Sequence, residues 1–124
     1  MSGRNEADTR GDLIEPALRE SGWGVDESRI RREELAPGRI LPNGERETGE
    51  WADYVLSYKT HKLAVLEAKK ESLEPTEGVN QAKRYAERLQ TRFAYSTNGH
   101  KIYEMDMKKG SHRFIDSYPS PDKL

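Results

Sequence analysis

Three residue types at a fixed spacing dominate the chemistry this chain could perform. Asp53 is followed, after 13 intervening residues, by Glu67-Ala68-Lys69. Both ends lie in apolar runs, "WADYVLSY" and "KLAVLEAK", separated by the polar Lys59-Thr60-His61. That pattern predicts a β-hairpin with strands over Trp51–Tyr58 and Lys62–Lys70. Side chains alternate faces along a strand, so Leu63, Val65, Glu67 and Lys69 share one face, and Asp53, Val55 and Ser57 share a face of the partner. If the hairpin registers so that these faces coincide, two carboxylates and an ammonium converge. A one-residue slip would point them apart. Two carboxylates in contact are costly to bury without compensation. A hard divalent cation such as Mg2+ removes that cost and activates bound water. Lys69 could then orient or deprotonate the attacking water, or stabilise charge on a phosphorus-centred transition state. The same residues also suit a solvated strand end with Glu67 paired to Lys69 or Lys70, and acid-x-lysine recurs at Asp106-Met107-Lys108.

The elements that must hold these groups follow from periodicity. Residues 6–21 read as an N-terminal helix with Leu13, Ala17 and Leu18 on its apolar side, Asn5 as cap and Gly22 as stop. Pro16 predicts a kink near Asp12. A short edge strand is expected at residues 28–32, and a long loop over 36–50 with a turn at Asn43-Gly44. A second helix is expected over 78–92, with Ala82, Tyr85, Ala86 and Leu89 inward. Strands follow at 92–97 and 101–107, joined at Asn98-Gly99, with an edge strand at 112–116. "YPSPDKL" reads as a linker or cut end. The order predicts an α/β domain, a mixed central sheet flanked by helices, with a right-handed parallel crossover from the second hairpin strand to residues 92–97.

Composition narrows the class. The 124 residues suit one domain, and with 33% hydrophobic against 35% charged residues its core must be small. Without cysteine there is no disulfide framework or thiolate metal site. His61, His100 and His112 have no zinc-like spacing. No run is long enough to span a membrane and no signal-peptide pattern opens the chain, so a cytoplasmic location is expected. The net charge of −1 is not that of a basic nucleic-acid binder, but it is unevenly spread. Residues 1–60 hold 13 acids against 9 Lys and Arg, and residues 61–124 hold 9 against 12. The second half could approach a polyanion; the first would need a cation to do so.

Taken together, Asp53 with Glu67-Ala68-Lys69, and Gln81 and Tyr85 of "QAKRY", resemble the PD-(D/E)xK nuclease superfamily in its Q-x-x-x-Y subset. With "NEADTR…LIEPALRESGW" and "STNGHKIYEMD", the chain is similar over roughly residues 5 to 121 to the N-terminal endonuclease domain of type I restriction enzyme R subunits. The resemblance implies a restriction-endonuclease-like fold and Mg2+-dependent cleavage of DNA, with Mn2+ as a substitute. It implies Asp53, Glu67 and the Ala68 carbonyl as metal ligands, Lys69 as the catalytic lysine, and Gln81 and Tyr85 in DNA handling or support of the site. Ala52 stands where the superfamily has proline, which is not a ligand. Related nucleases often draw an acid from the first helix. Glu6 is the positional choice here, on the side of Leu13 and Ala17, and Glu15 points roughly opposite. On the second helix Arg84, Arg88 and Arg92 form a basic row, which suits a solvated face as well as a grip on phosphate backbone. The family's domain sits in a longer chain with a DNA-translocating helicase motor, joined by methyltransferase and specificity subunits. No G-x-x-x-x-G-K-[ST] loop occurs here, so residues 1–124 read as a single nuclease domain, an excised piece or an isolated relative. A stand-alone nuclease of resolvase or repair type, or a non-catalytic DNA-binding or assembly module, remain the alternatives.

Overall fold

The computed structural model describes residues 4–124. A six-stranded sheet forms the centre, with the strands side by side in chain order. They are β1 (Ser28–Ala36), β2 (Glu50–Tyr58), β3 (His61–Ala68), β4 (Phe93–Thr97), β5 (Ile102–Asp106) and β6 (Ser111–Ile115). Every neighbouring pair is antiparallel except β3–β4, which is parallel. A parallel link needs a crossover, and α3 (Val79–Leu89) supplies it. The fold is therefore α/β with a mixed sheet, as expected.

The sheet is covered on both faces. An N-terminal helical arm, α1 (Glu6–Thr9), a π-helical turn (Arg10–Ile14) and α2 (Glu15–Glu20), packs Ile14 and Leu18 onto Tyr54, Leu56, Ala64 and Leu66. On the other face Ala82, Tyr85 and Ala86 of α3 meet Val55, Val65, Ala94 and Met105. Asn5 caps the arm by accepting from Asp8 N at 2.8 Å. The break predicted from Pro16 takes the form of the π turn. Pro16 has no N–H for the Asp12 carbonyl, and Glu15 N–H instead reaches back five residues to Arg10 O. The wider turn rotates everything after it. Glu15, expected to point away, faces the sheet and accepts from Tyr54 OH at 2.8 Å.

Three other expectations change. β1 runs four residues beyond 32, through Glu33 at φ +52°. α3 ends at Leu89, because Gln90 turns left-handed (φ +57°) and Thr91 N–H closes on Ala86 O at 2.9 Å, so Arg92 leaves the helical row. The segment read as a linker is part of the core. Tyr118 is buried edge-on against Tyr95, with ring centroids 5.7 Å apart, and Pro119 O accepts from the buried Trp23 Nε1 at 2.9 Å. No helix among the described residues is long and apolar enough to cross a membrane.

Candidate active site

The hairpin turns on two residues, Lys59 and Thr60, both at positive φ, and this tight turn sets the register. Val55 pairs with Val65 and Tyr54 with Leu66, which is the alignment that brings the two acids to one face. Near the turn a bulge makes Leu63 the extra residue, and it packs with the opposite cluster instead of with Val65.

Beyond Tyr54 the ladder opens. Asp53 has no strand partner on either side, since the β1 pairing passes from Tyr54 to Ala52 and the β3 pairing stops at Leu66. The freed amides are satisfied by the acids. Asp53 N donates to Glu67 Oε1 at 3.0 Å, and Ala68 N donates to Asp53 Oδ2 at 2.8 Å. Each carboxylate thus braces the backbone beside the other, as buried amides require. Along a strand, the N–H and C=O of one residue point the same way. Ala68 N–H faces Asp53 while Lys69 N–H bonds Thr97 O at 2.9 Å, so the Ala68 carbonyl also faces the Asp53 side.

Glu67 is only 4% exposed. Burial, then the neighbouring Asp53 charge, push its carboxyl up to about 8, with Lys69 opposing. Lys69 Nζ donates to Gln81 Oε1 at 2.8 Å, so α3 holds the amine in place. Tyr85 lies buried one turn on, its hydroxyl on Glu50 Oε2 at 3.0 Å, and burial with Glu50 and Glu67 pushes it up to about 12. The basic row is differently occupied. Arg84 and Arg88 both close on Glu50, at 2.8 and 3.2 Å, and Arg92 forks onto Asp106. Glu6 stands apart from the pair: its carboxylate takes Arg10, and Arg10 in turn takes Asp53.

The donors suit a hard divalent cation. Two carboxylates and a main-chain carbonyl converge where Glu67 is disfavoured as a lone anion, and oxygen donors of this kind are what Mg2+ prefers. Among the described residues no three His, Cys, Asp or Glu side chains are grouped tightly enough to hold an ion, so solvent would complete the shell. A cleft of about 330 Å³ opens beside Asp53, lined by Arg10, Glu15, Arg32 and Glu33. A larger one, about 780 Å³ between α2 and the C-terminal segment, holds none of the expected site residues.

A family model described as type I restriction enzyme R protein N terminus (HSDR_N) matches residues 26–119. The chain belongs to this family. Over its whole length it is 32% identical to the type I restriction enzyme EcoAI endonuclease subunit of Escherichia coli, and over 68% of its length 32% identical to the EcoKI endonuclease subunit of Escherichia coli strain K12. It covers 16% and 8% of those relatives. A solved fragment of an HsdR subunit assigned to a type I restriction enzyme of Vibrio vulnificus YJ016 superposes on the whole chain with a TM-score of 0.87 and 40% identity, the chain covering 25% of it. Residues 1–124 therefore correspond to the N-terminal region of a type I restriction R subunit, a small part of much longer relatives.

Within this R-protein domain, several residues that shape the site escaped the sequence reading. Arg10, one helical turn after Glu6 and paired with it, also reaches across to Asp53. Ser96, the cross-strand partner of Glu67, donates to Pro75 O at 2.6 Å and accepts from Gly78 N at 3.0 Å, fastening the start of α3 over the site. Gly78 itself could have been noticed, since it immediately precedes the helix. A Cβ there would meet Ser96 Oγ at 2.9 Å, Glu67 Cβ at 3.1 Å and Lys69 Cε at 3.3 Å. Its φ of −93° is ordinary, so close approach, not backbone freedom, demands glycine. Gly78→Ala is expected to cost about 1–3 kcal/mol in urea unfolding by overpacking. It should also displace Lys69 and Glu67, which sit against it.

Proposed function

We propose that this domain is the DNA-cutting module of a type I restriction enzyme R subunit, hydrolysing phosphodiester bonds with Mg2+, or with Mn2+ in its place. The observation that carries the reading is the mutual bracing of Asp53 and Glu67 beside a lysine anchored by Gln81, in a member of this family. Asp53, Glu67 and the Ala68 carbonyl would hold the cation. Once bound, it supplies a more acidic water and charge neutralisation at the phosphate.

The remaining steps belong to the chain's own side chains. Gln81 Oε1 fixes the Lys69 amine. From there its N–H groups can hold the attacking water or donate to a non-bridging phosphate oxygen as charge builds on it. Tyr85 anchors α3 to the sheet and ties Glu50, keeping Gln81 one turn earlier in reach of Lys69. Arg84 and Arg88 begin on Glu50. They can grip phosphate only by exchanging that partner, so the isolated domain should bind DNA weakly. In this reading a motor in the same longer chain, with methyltransferase and specificity subunits, brings DNA to the site in the cytoplasm.

Supercoiled plasmid should be nicked and linearised by the chain in Mg2+ or Mn2+. Chelation should stop the reaction, and so should Asp53→Asn, whose side-chain oxygen can still accept from Ala68 N–H. Cleavage at an unchanged rate by Asp53→Asn, or no calorimetric signal on Mn2+ titration of the unaltered chain, would reject the proposal.

A further inference from the structure

Arg10 sits where the helical arm passes over the open end of the β2–β3 ladder. The π turn begins at this residue. Its Nη2 donates to Asp53 Oδ1 at 2.5 Å and to Glu6 Oε1 at 2.6 Å, and its Nη1 lies 3.7 Å from Glu33 Oε1. Its Nε is buried without a partner among the described residues. The guanidinium therefore has three acids around it and no role in the core clusters on either face of the sheet.

The oxygen it takes is the informative one. Asp53 Oδ2 is held by Ala68 N–H, so Oδ1 is the oxygen not committed to the main chain. A guanidinium and a divalent cation cannot both stay in contact with it, because their charges repel strongly at that separation in a partly buried cleft. The charge count points the same way. Four acids (Glu6, Glu33, Asp53 and Glu67) face two basic side chains (Arg10 and Lys69), leaving a deficit of two when all are ionised. One divalent ion fills it without Arg10 leaving Glu6 or Glu33.

We propose that Arg10 is a resident counter-cation for Asp53, which a divalent metal ion displaces on binding, loosening the N-terminal helical arm from β2 as the site fills. The proposal rests on the reading of Asp53 and Glu67 as the cation site. It makes Arg10 a positioning residue that sets how tightly the site takes metal. The opposite role, a support that holds Asp53 ready for the ion, predicts the opposite sign.

Mn2+ titration calorimetry on the unaltered chain, Arg10→Gln, Arg10→Lys and Asp53→Asn separates them. Removing both the competitor and its charge should tighten Mn2+ binding by about tenfold in Arg10→Gln. Arg10→Lys, which keeps the charge but lacks the second guanidinium nitrogen that reaches Glu33, should show a smaller gain. Hydrogen exchange at residues 6–14 should speed up on adding Mn2+ to the unaltered chain and already be fast in Arg10→Gln without it. Binding that is unchanged or weaker in both Arg10 variants, with Asp53→Asn still abolishing it, overturns the displacement proposal and leaves the cation site standing. Binding absent from the unaltered chain, or undiminished in Asp53→Asn, overturns both. Circular dichroism melts of each variant confirm that the affinities refer to folded protein.

Discussion

In chelator, the protein should lose stability steadily as pH rises from about 4.5 to about 8, and Glu67→Gln should remove most of that loss. Glu67 begins from an ordinary value of 4.5 in the unfolded chain and is pushed up to about 8 in the fold, first by burial and then by Asp53. Between those values the folded state holds a proton that the unfolded state has released. The proton count then favours the fold at low pH, and stability falls by at most about 1.4 kcal/mol per pH unit across the window. The acids held low by partners, Glu15 by Arg32 and Glu50 by Arg84, behave oppositely, and their contribution is lost only below the window, as they protonate. Glutamine retains an oxygen for Asp53 N–H and carries no charge to desolvate. At pH 8 the variant should therefore be more stable by a few kcal/mol, a shift on the order of 10 °C in melting temperature. Urea melts at pH 5, 6, 7 and 8 check this. Saturating Mn2+ should flatten the slope for the unaltered chain and leave Glu67→Gln unmoved, since a bound cation replaces the proton. A parallel pH response in the two proteins would mean that Glu67 is not the group responsible.

The second large effect concerns Lys69. Lys69→Ala should lower the initial rate of plasmid cleavage by roughly 10²- to 10⁴-fold, the range associated with a positioned proton-transfer group. Mn2+ affinity should hold or rise, because a positive charge beside the carboxylates has been removed. That combination separates a chemical role from metal binding. Gln81→Ala leaves the amine present but loosely held, and should cost about tenfold. Lys69→Arg should not restore the rate, since a guanidinium does not release a proton readily. A Lys69→Ala enzyme with a normal rate would transfer the role elsewhere.

What the sequence made legible and what it hid divide along physical lines. The hairpin could be foreseen from strand alternation and a polar turn, but its register stayed conditional, because a one-residue slip would have pointed the acids apart; the two-residue turn at Lys59-Thr60 decides it. α3 could be foreseen from its apolar stripe, but its last turn could not. Gln90 takes a left-handed conformation without the glycine that usually advertises it. The wheel that placed Glu15 outward assumed an even period, and the π turn at Arg10–Ile14 broke that assumption. Tyr118 and Pro119 looked like linker residues because their partners, Tyr95 and Trp23, are far away in sequence. The partner of Arg84 and Arg88 was hidden for a related reason: Glu50, which takes both, lies on β2 and not on the helix.

The crossed amide contacts between Asp53 and Glu67 bear on how a lineage could abandon the proposed cleavage. Swapping either acid for an aliphatic residue strands a peptide N–H and weakens the hairpin as well as silencing it. Descendants that have lost the reaction yet still fold should therefore carry asparagine or glutamine at these two places more often than alanine or valine. Idle copies of the domain would then be recognisable by amides standing where the acids were.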